Sequence, residues 1–225
     1  MDENCKKIVE LRIQKTMKNL EKNNMKPYYA PTKEDSVKLV SSLLQKGETV
    51  SCGGTMTLRE CGVRDLLLSG EYQFLDRDRP GISTGEIQEI YRKTFWADTF
   101  LTSANAITEN GELYNVDGNS NRVAAIVFGP KSVIVVAGYN KLVPSLDEAI
   151  LRVKKTAAPA NGCRLHTETP CEKTGECISC AQGTGSGMTE GCRSPGRMCC
   201  SYVVSAMQRQ KDRIKVILVG EELGY

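Results

Sequence analysis

Glu48-Thr49-Val50-Ser51-Cys52-Gly53-Gly54-Thr55-Met56-Thr57-Leu58-Arg59-Glu60 reads as a strand, a glycine turn and a helix start, in that order. Thr57 with Glu60 suggests a capping box at the helix start. A strand that runs through glycines into a helix belongs to an α/β domain. Such sheets place ligands at the carboxyl ends of their strands, where this turn would lie. Backbone N–H groups of Gly53, Gly54 and Thr55 could hold a phosphate or carboxylate there. The turn is neither GxGxxG nor a P-loop, and a plain chain reversal is the competing reading.

The flanks extend the same pattern. Upstream, Val9, Ile13, Met17 and Leu20 recur at helical spacing over residues 5–22. Thr32 with Asp35 starts a second helix carrying Val37, Val40 and Leu44, with Gly47 as its expected C-cap. Downstream, Ser83 with Glu86 opens a helix bearing Ile87, Ile90 and Tyr91, and Ser145 with Glu148 opens another with Leu146, Ile150 and Val153. Residues 98–102 read as a strand. Asn110-Gly111, between Ala106-Ile107-Thr108 and Leu113-Tyr114-Asn115-Val116, is a hairpin signal. Residues 123–128 and 132–137 are expected to pair as strands about Gly129-Pro130. The apolar run 214–219 reads as a strand buried on both faces. The expected architecture is one three-layer α/β domain over residues 1–225, with a mixed sheet.

Composition excludes several function classes. The 225 residues suit one large domain, with 40% hydrophobic and 25% charged residues. Thirty basic against 27 acidic residues give a net charge of +3, too balanced for nucleic-acid binding through a basic surface. The N-terminus lacks the apolar core of a signal peptide, and no apolar run is long enough for a membrane span. A cytoplasmic location is therefore expected. In that reducing compartment ten cysteines are poor disulfide candidates.

Six of the ten follow the pattern Cys171-x5-Cys177-x2-Cys180-x11-Cys192-x6-Cys199-Cys200, inside a Cys-rich loop at about 160–200 that is poor in large apolar residues. This loop is expected to precede a final helix and strand. A C-x2-C pair lets two thiolates face one metal from a tight turn, and four thiolates make a structural zinc or an iron–sulfur site. The favoured ligands are Cys171, Cys177, Cys180 and Cys199. Buried unpaired thiols or a redox C-x2-C pair are the competing readings. His166, the single histidine, is read as a surface or cap residue in preference to a ligand. Asn105, Asn121 and Arg122, on polar loops after strands, are candidates to share a site with the glycine turn. Glu109 and Glu112 are read as solvated charges beside the hairpin.

These residues carry a family resemblance. Gly53-Gly54-Thr55-Met56-Thr57-Leu58, residues 104–111, Asn121-Arg122-Val123-Ala124 and residues 216–220 resemble the lactate-utilisation (LUD) domain family over most of residues 5–225. The segment from Thr169-Pro170-Cys171 to Arg197-Met198-Cys199 is similar to the stand-alone form found in anaerobic bacteria, with an insertion around 181–192 here. The resemblance implies a fold similar to the sugar-phosphate isomerase and coenzyme A transferase group (NagB/RpiA/CoA-transferase-like). It also implies a link to lactate oxidation beside iron–sulfur partners. The isomerases' Asp-Gly-Ala-Asp-Glu stretch corresponds here to Thr102-Ser103-Ala104-Asn105-Ala106, without either acid, which argues against isomerase activity.

Two functions are thus expected to compete. In one, an iron–sulfur cluster in the cysteine loop and a small anionic ligand at the glycine turn serve organic-acid oxidation, with redox protein partners. In the other, a zinc ion staples the loop of a non-enzymatic ligand- or partner-binding domain. Transfer chemistry of the coenzyme A type is a third and would need a nucleophilic carboxylate.

Overall fold

The computed structural model describes residues 2–181 and 187–225. Ten strands are described: β1 Lys26–Ala30, β2 Thr49–Cys52, β3 Gln73–Phe74, β4 Thr99–Thr102, β5 Ala106–Thr108, β6 Leu113–Asp117, β7 Ser132–Gly138, β8 Leu142–Val143, β9 Ser201–Ser205 and β10 Ile214–Val219. The helices are α1 Glu3–Lys22, α2 Lys33–Leu43, α3 Met56–Glu60, α4 Val63–Leu67, α5 Thr84–Lys93, α6 Asn121–Val127, α7 Leu146–Arg152, α8 Ala158–Leu165, α9 Pro170–Thr174 and α10 Ile178–Ala181.

The main sheet has the order β1-β10-β7-β4-β2-β3, and every pairing in it is parallel. β7 and β10 lie inside the sheet, flanked on both sides, and their residues are apolar on both faces. Val133, Val135 and Ala137 of β7 join Ile13, Leu20 and Ile126 in one core. Ile134 and Val136 of the same strand join Val40, Leu58 and Leu67 in another. The period-2 alternation thus splits one strand between two helical layers, giving a three-layer α/β domain.

The expected mixed sheet is present, as a second sheet beside the parallel one. β5 pairs antiparallel with β6, β6 with β9, and β5 parallel with β8, so the mixed pairing is confined to a separate four-stranded sheet. Its hairpin lies where Asn110-Gly111 indicated, with Gly111 at φ +83°. Residues 121–127 form α6, not a strand. A short apolar run carries no decisive period, and Ala124-Ala125 favours a helix. The Asp117 carboxylate accepts from the Val123 N–H at 3.2 Å in the first turn.

Other local expectations split. Ser83 and Glu86 form a complete capping box, and Ser145 accepts from the Glu148 N–H. Thr55, not Thr57, occupies the N-cap position of α3. Gly47 lies beyond the end of α2 and donates its N–H to the Glu71 carbonyl at 2.8 Å. The cysteine-rich segment contains α9 and α10 and leads into β9; no helix follows it among the described residues. Residues 182–186 of the expected insertion lie outside the described residues.

Glu109 is not a solvated charge. It pairs with Arg12 and Lys15, each at 2.8 Å, and is only 13% exposed. Asn19 and Asn23 donate to the Glu109 and Asn110 carbonyls at 2.8 and 3.0 Å, so α1 is bolted onto the hairpin turn. A Cβ on Gly111 would meet the Leu20 nitrogen at 2.7 Å and the Asn19 carbonyl carbon at 2.8 Å. Gly111→Ala is therefore expected to lower stability by about 2–4 kcal/mol, from left-handed strain plus backbone collision. Chemical denaturation measures it; a loss below about 0.5 kcal/mol would mean that α1 is free to shift away from the turn.

Candidate functional site

All strands of the main sheet end on one side. There the turns after β2, β4 and β7 meet the residues that follow β10, around a cavity of about 430 Å³. This is the carboxyl-end position expected of an open parallel sheet. Gly54, Thr55, Asn105, Asn121 and Arg122 all line it. Gly53 lies under Arg122: a Cβ there would meet Thr102 Oγ1 at 3.0 Å and Arg122 Cδ at 3.1 Å. A Cβ on Gly54 would collide with the Arg77 guanidinium. The two glycines thus admit two arginines against the backbone. The Gly53 N–H is spent on the Leu101 carbonyl at 2.9 Å, so it cannot cradle an anion.

Arg122 and Asn105 come together, but as a brace. Arg122 Nη1 donates to Asn115 Oδ1 at 2.7 Å and to the Ser103 carbonyl at 3.2 Å. Its Nη2 donates to Asn105 Oδ1 and to the Val116 carbonyl, both at 2.8 Å. Asp117 lies 3.7 Å from Nε. Asn105 Oδ1 also accepts from the Val116 N–H at 2.8 Å. One guanidinium therefore ties α6, the end of β4 and the small sheet together.

Composition did not reveal the cavity's charge. Four arginines (Arg59, Arg77, Arg122 and Arg164) and Lys141 face it against two carboxylates, Asp78 and Asp117. Asp78 is shared among Arg59 at 2.8 Å, Arg64 at 3.6 Å and Arg77 at 3.8 Å. Arg77 also donates to the Tyr91 hydroxyl at 3.1 Å, while its buried Nε has no hydrogen-bond partner. A site of this charge suits an anion.

Lys141 was not singled out from sequence. It follows β7 and is 2% exposed. Its Nζ donates to Thr57 Oγ1 at 2.9 Å and Ser103 Oγ at 3.0 Å. Burial, with Arg152 and Arg122 nearby, pushes its amine down to about 7. The only sequence signal was a lysine three residues past an apolar parallel strand, which is a common surface pattern.

The cysteines form a second, smaller space of about 30 Å³. Cys171, Cys177, Cys192 and Cys199 line it; Cys180 and Cys200 do not. The structure thus brings together three of the four expected ligands and adds Cys192. Cys180 sits on α10, its N–H bonded to the Cys177 carbonyl at 2.9 Å. All ten cysteines are free thiols. Burial first, then the neighbouring Cys171 and Cys177, pushes Cys199 up to about 12. Among the described residues no three His, Cys, Asp or Glu side chains converge tightly enough to hold a metal ion as they stand. His166 caps α8 in a left-handed conformation, as the cap reading expected.

Two cations organise this lobe. Arg197 donates to the carbonyls of Cys199 at 2.8 Å and Cys192 at 2.6 Å, and Lys154 to Ser179 Oγ at 2.8 Å and the Gly187 carbonyl at 2.7 Å. Lys154 lies on a π-helical turn, Val153–Ala157, between α7 and α8. Val153, Ala158, Met198 and Cys199 line both spaces, so one wall separates the cysteines from the cationic cavity.

The molecule is thus a parallel-sheet α/β domain with a cationic cavity at the carboxyl ends of its strands and a cysteine lobe against it. It belongs to the LUD domain family, linked to lactate utilisation, whose model matches residues 13–219. Among solved structures it is similar to a DUF162 family protein from Deinococcus radiodurans, at 12% identity over 95% of this chain and 98% of that one, with a TM-score of 0.46. A second similarity is to eIF2B beta from Chaetomium thermophilum, at 14% identity over 48% of this chain and 38% of that one, with a TM-score of 0.32. No curated protein matches the chain. No described helix is long and apolar enough to cross a membrane.

Arg122→Lys is expected to lower stability by about 3–5 kcal/mol, because an ammonium cannot satisfy four acceptors held in a planar fan. The melting temperature should fall by roughly 10 °C; a change within about 2 °C would mean that the brace is dispensable. For Lys141, a lowered pKa leaves the amine neutral above its midpoint. Its labelling by an anionic amine-selective reagent, read by peptide mapping, is expected to rise through about pH 7. A midpoint near the ordinary value of about 10.4 would show that the amine is not desolvated.

Proposed function

We infer that the protein binds a small organic acid in the cationic cavity and holds an iron–sulfur cluster in the cysteine lobe, in the service of organic-acid oxidation. The observation that carries this reading is the shared wall: Cys199 and Met198 border both spaces. A redox centre at the cysteines would sit directly behind the bound acid.

By donor type the residues present fit a cluster. Four thiols around one space are the donor set that iron–sulfur centres use. A lone zinc needs its four sulfurs about 2.3 Å from one point, whereas a multi-iron cluster spreads them further apart. Cys171, Cys177, Cys192 and Cys199 would be the ligands, with Cys192 in the place expected for Cys180. Arg197 and Lys154 would offset the negative charge of the thiolates. When bound, such a cluster supplies one-electron transfer.

The chain's own residues do the rest. Arg77, Arg59 and Arg164 offer positive charge to a carboxylate, and Arg122 keeps the floor of the cavity rigid. Oxidising a 2-hydroxy acid to a 2-oxo acid removes two electrons and two protons, so an electron-transfer protein must accept the electrons.

Anaerobically purified protein is expected to be brown and to contain iron and acid-labile sulfide. Cys177→Ser and Cys192→Ser should each remove the visible absorption, and Cys180→Ser should retain it. Colourless protein, with zinc or with no metal, would overturn the cluster. Loss of colour in Cys180→Ser but not in Cys192→Ser would restore the ligand set expected from spacing.

A further inference from the structure

We propose that Lys141 is a nucleophilic amine that forms a reversible imine with the carbonyl carbon of a 2-oxo acid held in the cationic cavity. The proposal rests on the organic-acid reading of that cavity and deepens it, since a 2-oxo acid is what two-electron oxidation of a 2-hydroxy acid leaves behind.

The first support is the company Lys141 keeps. A buried lysine with a structural role ordinarily pairs with a carboxylate. Lys141 forms no ion pair among the described residues and touches only two neutral hydroxyls, those of Thr57 and Ser103. Its nearest charged influences besides Glu60 are cations, Arg152 and Arg122. Desolvation beside other cations is the arrangement that keeps a lysine amine neutral and nucleophilic.

The second support is rigidity. Lys141 leaves β7 through Gly138, where a Cβ would meet the Glu221 carbonyl oxygen and the Leu223 nitrogen at 2.5 Å. Asn140 then accepts from the Leu223 N–H at 3.1 Å and donates to the Gly224 carbonyl at 2.9 Å. The turn carrying the amine is therefore pinned to the chain beyond β10. A nucleophile held this firmly does not sweep the cavity, and the substrate carbonyl must come to it.

The third support is the cavity itself. Lys141 lines it together with Arg59, Arg77 and Arg164. Arg77 brings a buried Nε without a hydrogen-bond partner among the described residues, 3.8 Å from the Asp78 carboxylate. A 2-oxo acid has a carboxylate for such guanidinium groups and an adjacent electrophilic carbon for the amine.

The chemistry balances without an oxidant. The Lys141 Nζ lone pair attacks the carbonyl carbon, and the C=O π pair moves onto oxygen. A proton passes from nitrogen to that oxygen, giving a carbinolamine; the hydroxyls of Ser103 and Thr57 are beside the nitrogen to relay it. A second proton, taken from solvent water, lets the oxygen leave as water while the nitrogen lone pair forms C=N, and the protonated imine so formed returns its N–H proton to solvent. Water reverses the sequence.

The test uses the whole protein with pyruvate and cyanoborohydride at pH 7.5, followed by peptide mapping, and calorimetric titration with pyruvate and lactate in parallel. One reduced pyruvyl adduct on Lys141 is expected, formed on the order of a hundredfold faster than on exposed lysines, whose amines are only about 0.1% unprotonated at that pH. Lys141→Arg, which has no nucleophilic amine, should lose the adduct; because mapping on the unaltered protein already identifies the residue, the proposal does not depend on that variant folding. Pyruvate binding without an adduct on Lys141 would overturn the imine and leave the cavity reading standing. Neither binding nor adduct would remove both. Adducts spread over surface lysines, with none preferred at Lys141, would overturn the imine as well.

Discussion

The site depends on one buried guanidinium. Arg122 stands in the first turn of α6, yet its hydrogen bonds end on β6, on the loop after β4 and on Asn105 at the start of the hairpin. The acceptors come in two pairs, Asn115 and Val116 on β6 and Ser103 and Asn105 on the loop after β4, so one side chain joins the small sheet to the end of the main one. The geometry demands a planar donor fan, which arginine alone supplies. Gly53 must lack a side chain because the stem of Arg122 lies against it. The cavity's floor is therefore a consequence of the brace.

This constraint explains what the sequence shows and what it hides. The strand–glycine–helix stretch at 48–60 led correctly to the carboxyl-end location, because local pattern and sheet topology agree there. Gly53, Asn105 and Arg122, grouped in the sequence as parts of one ligand site, do come together, and Asn105 and Arg122 line the cavity. They hold one another more than they hold a ligand, and polar side chains on loops look alike in sequence whether they face a substrate or a neighbour. Lys141 was illegible because its burial is tertiary: it depends on Thr57 arriving from α3 and Ser103 from the loop after β4. Residues 123–128 were misread as a strand because six apolar residues carry no decisive period, and the capping carboxylate, Asp117, lies before a turn and not next to the helix. The Ser83–Glu86 box and the Asn110-Gly111 hairpin were legible because their information is wholly local.

The cysteine lobe poses a different problem. Its segment has few large apolar residues, so burial contributes little to its order. Arg197 and Lys154 do much of the organising, each donating to carbonyls from separate parts of the lobe. Neither forms an ion pair among the described residues. Buried or half-buried cations bonded only to neutral groups are costly unless negative charge is near. Four thiols facing the same space are a latent source of that charge, since binding a metal deprotonates them. The same logic holds across the shared wall, where arginines outnumber carboxylates around the larger cavity. In both compartments the protein supplies more positive charge than it neutralises. A fold that keeps two such imbalances back to back gains stability from whatever anions fill them, so occupancy of the two spaces should be coupled to folding.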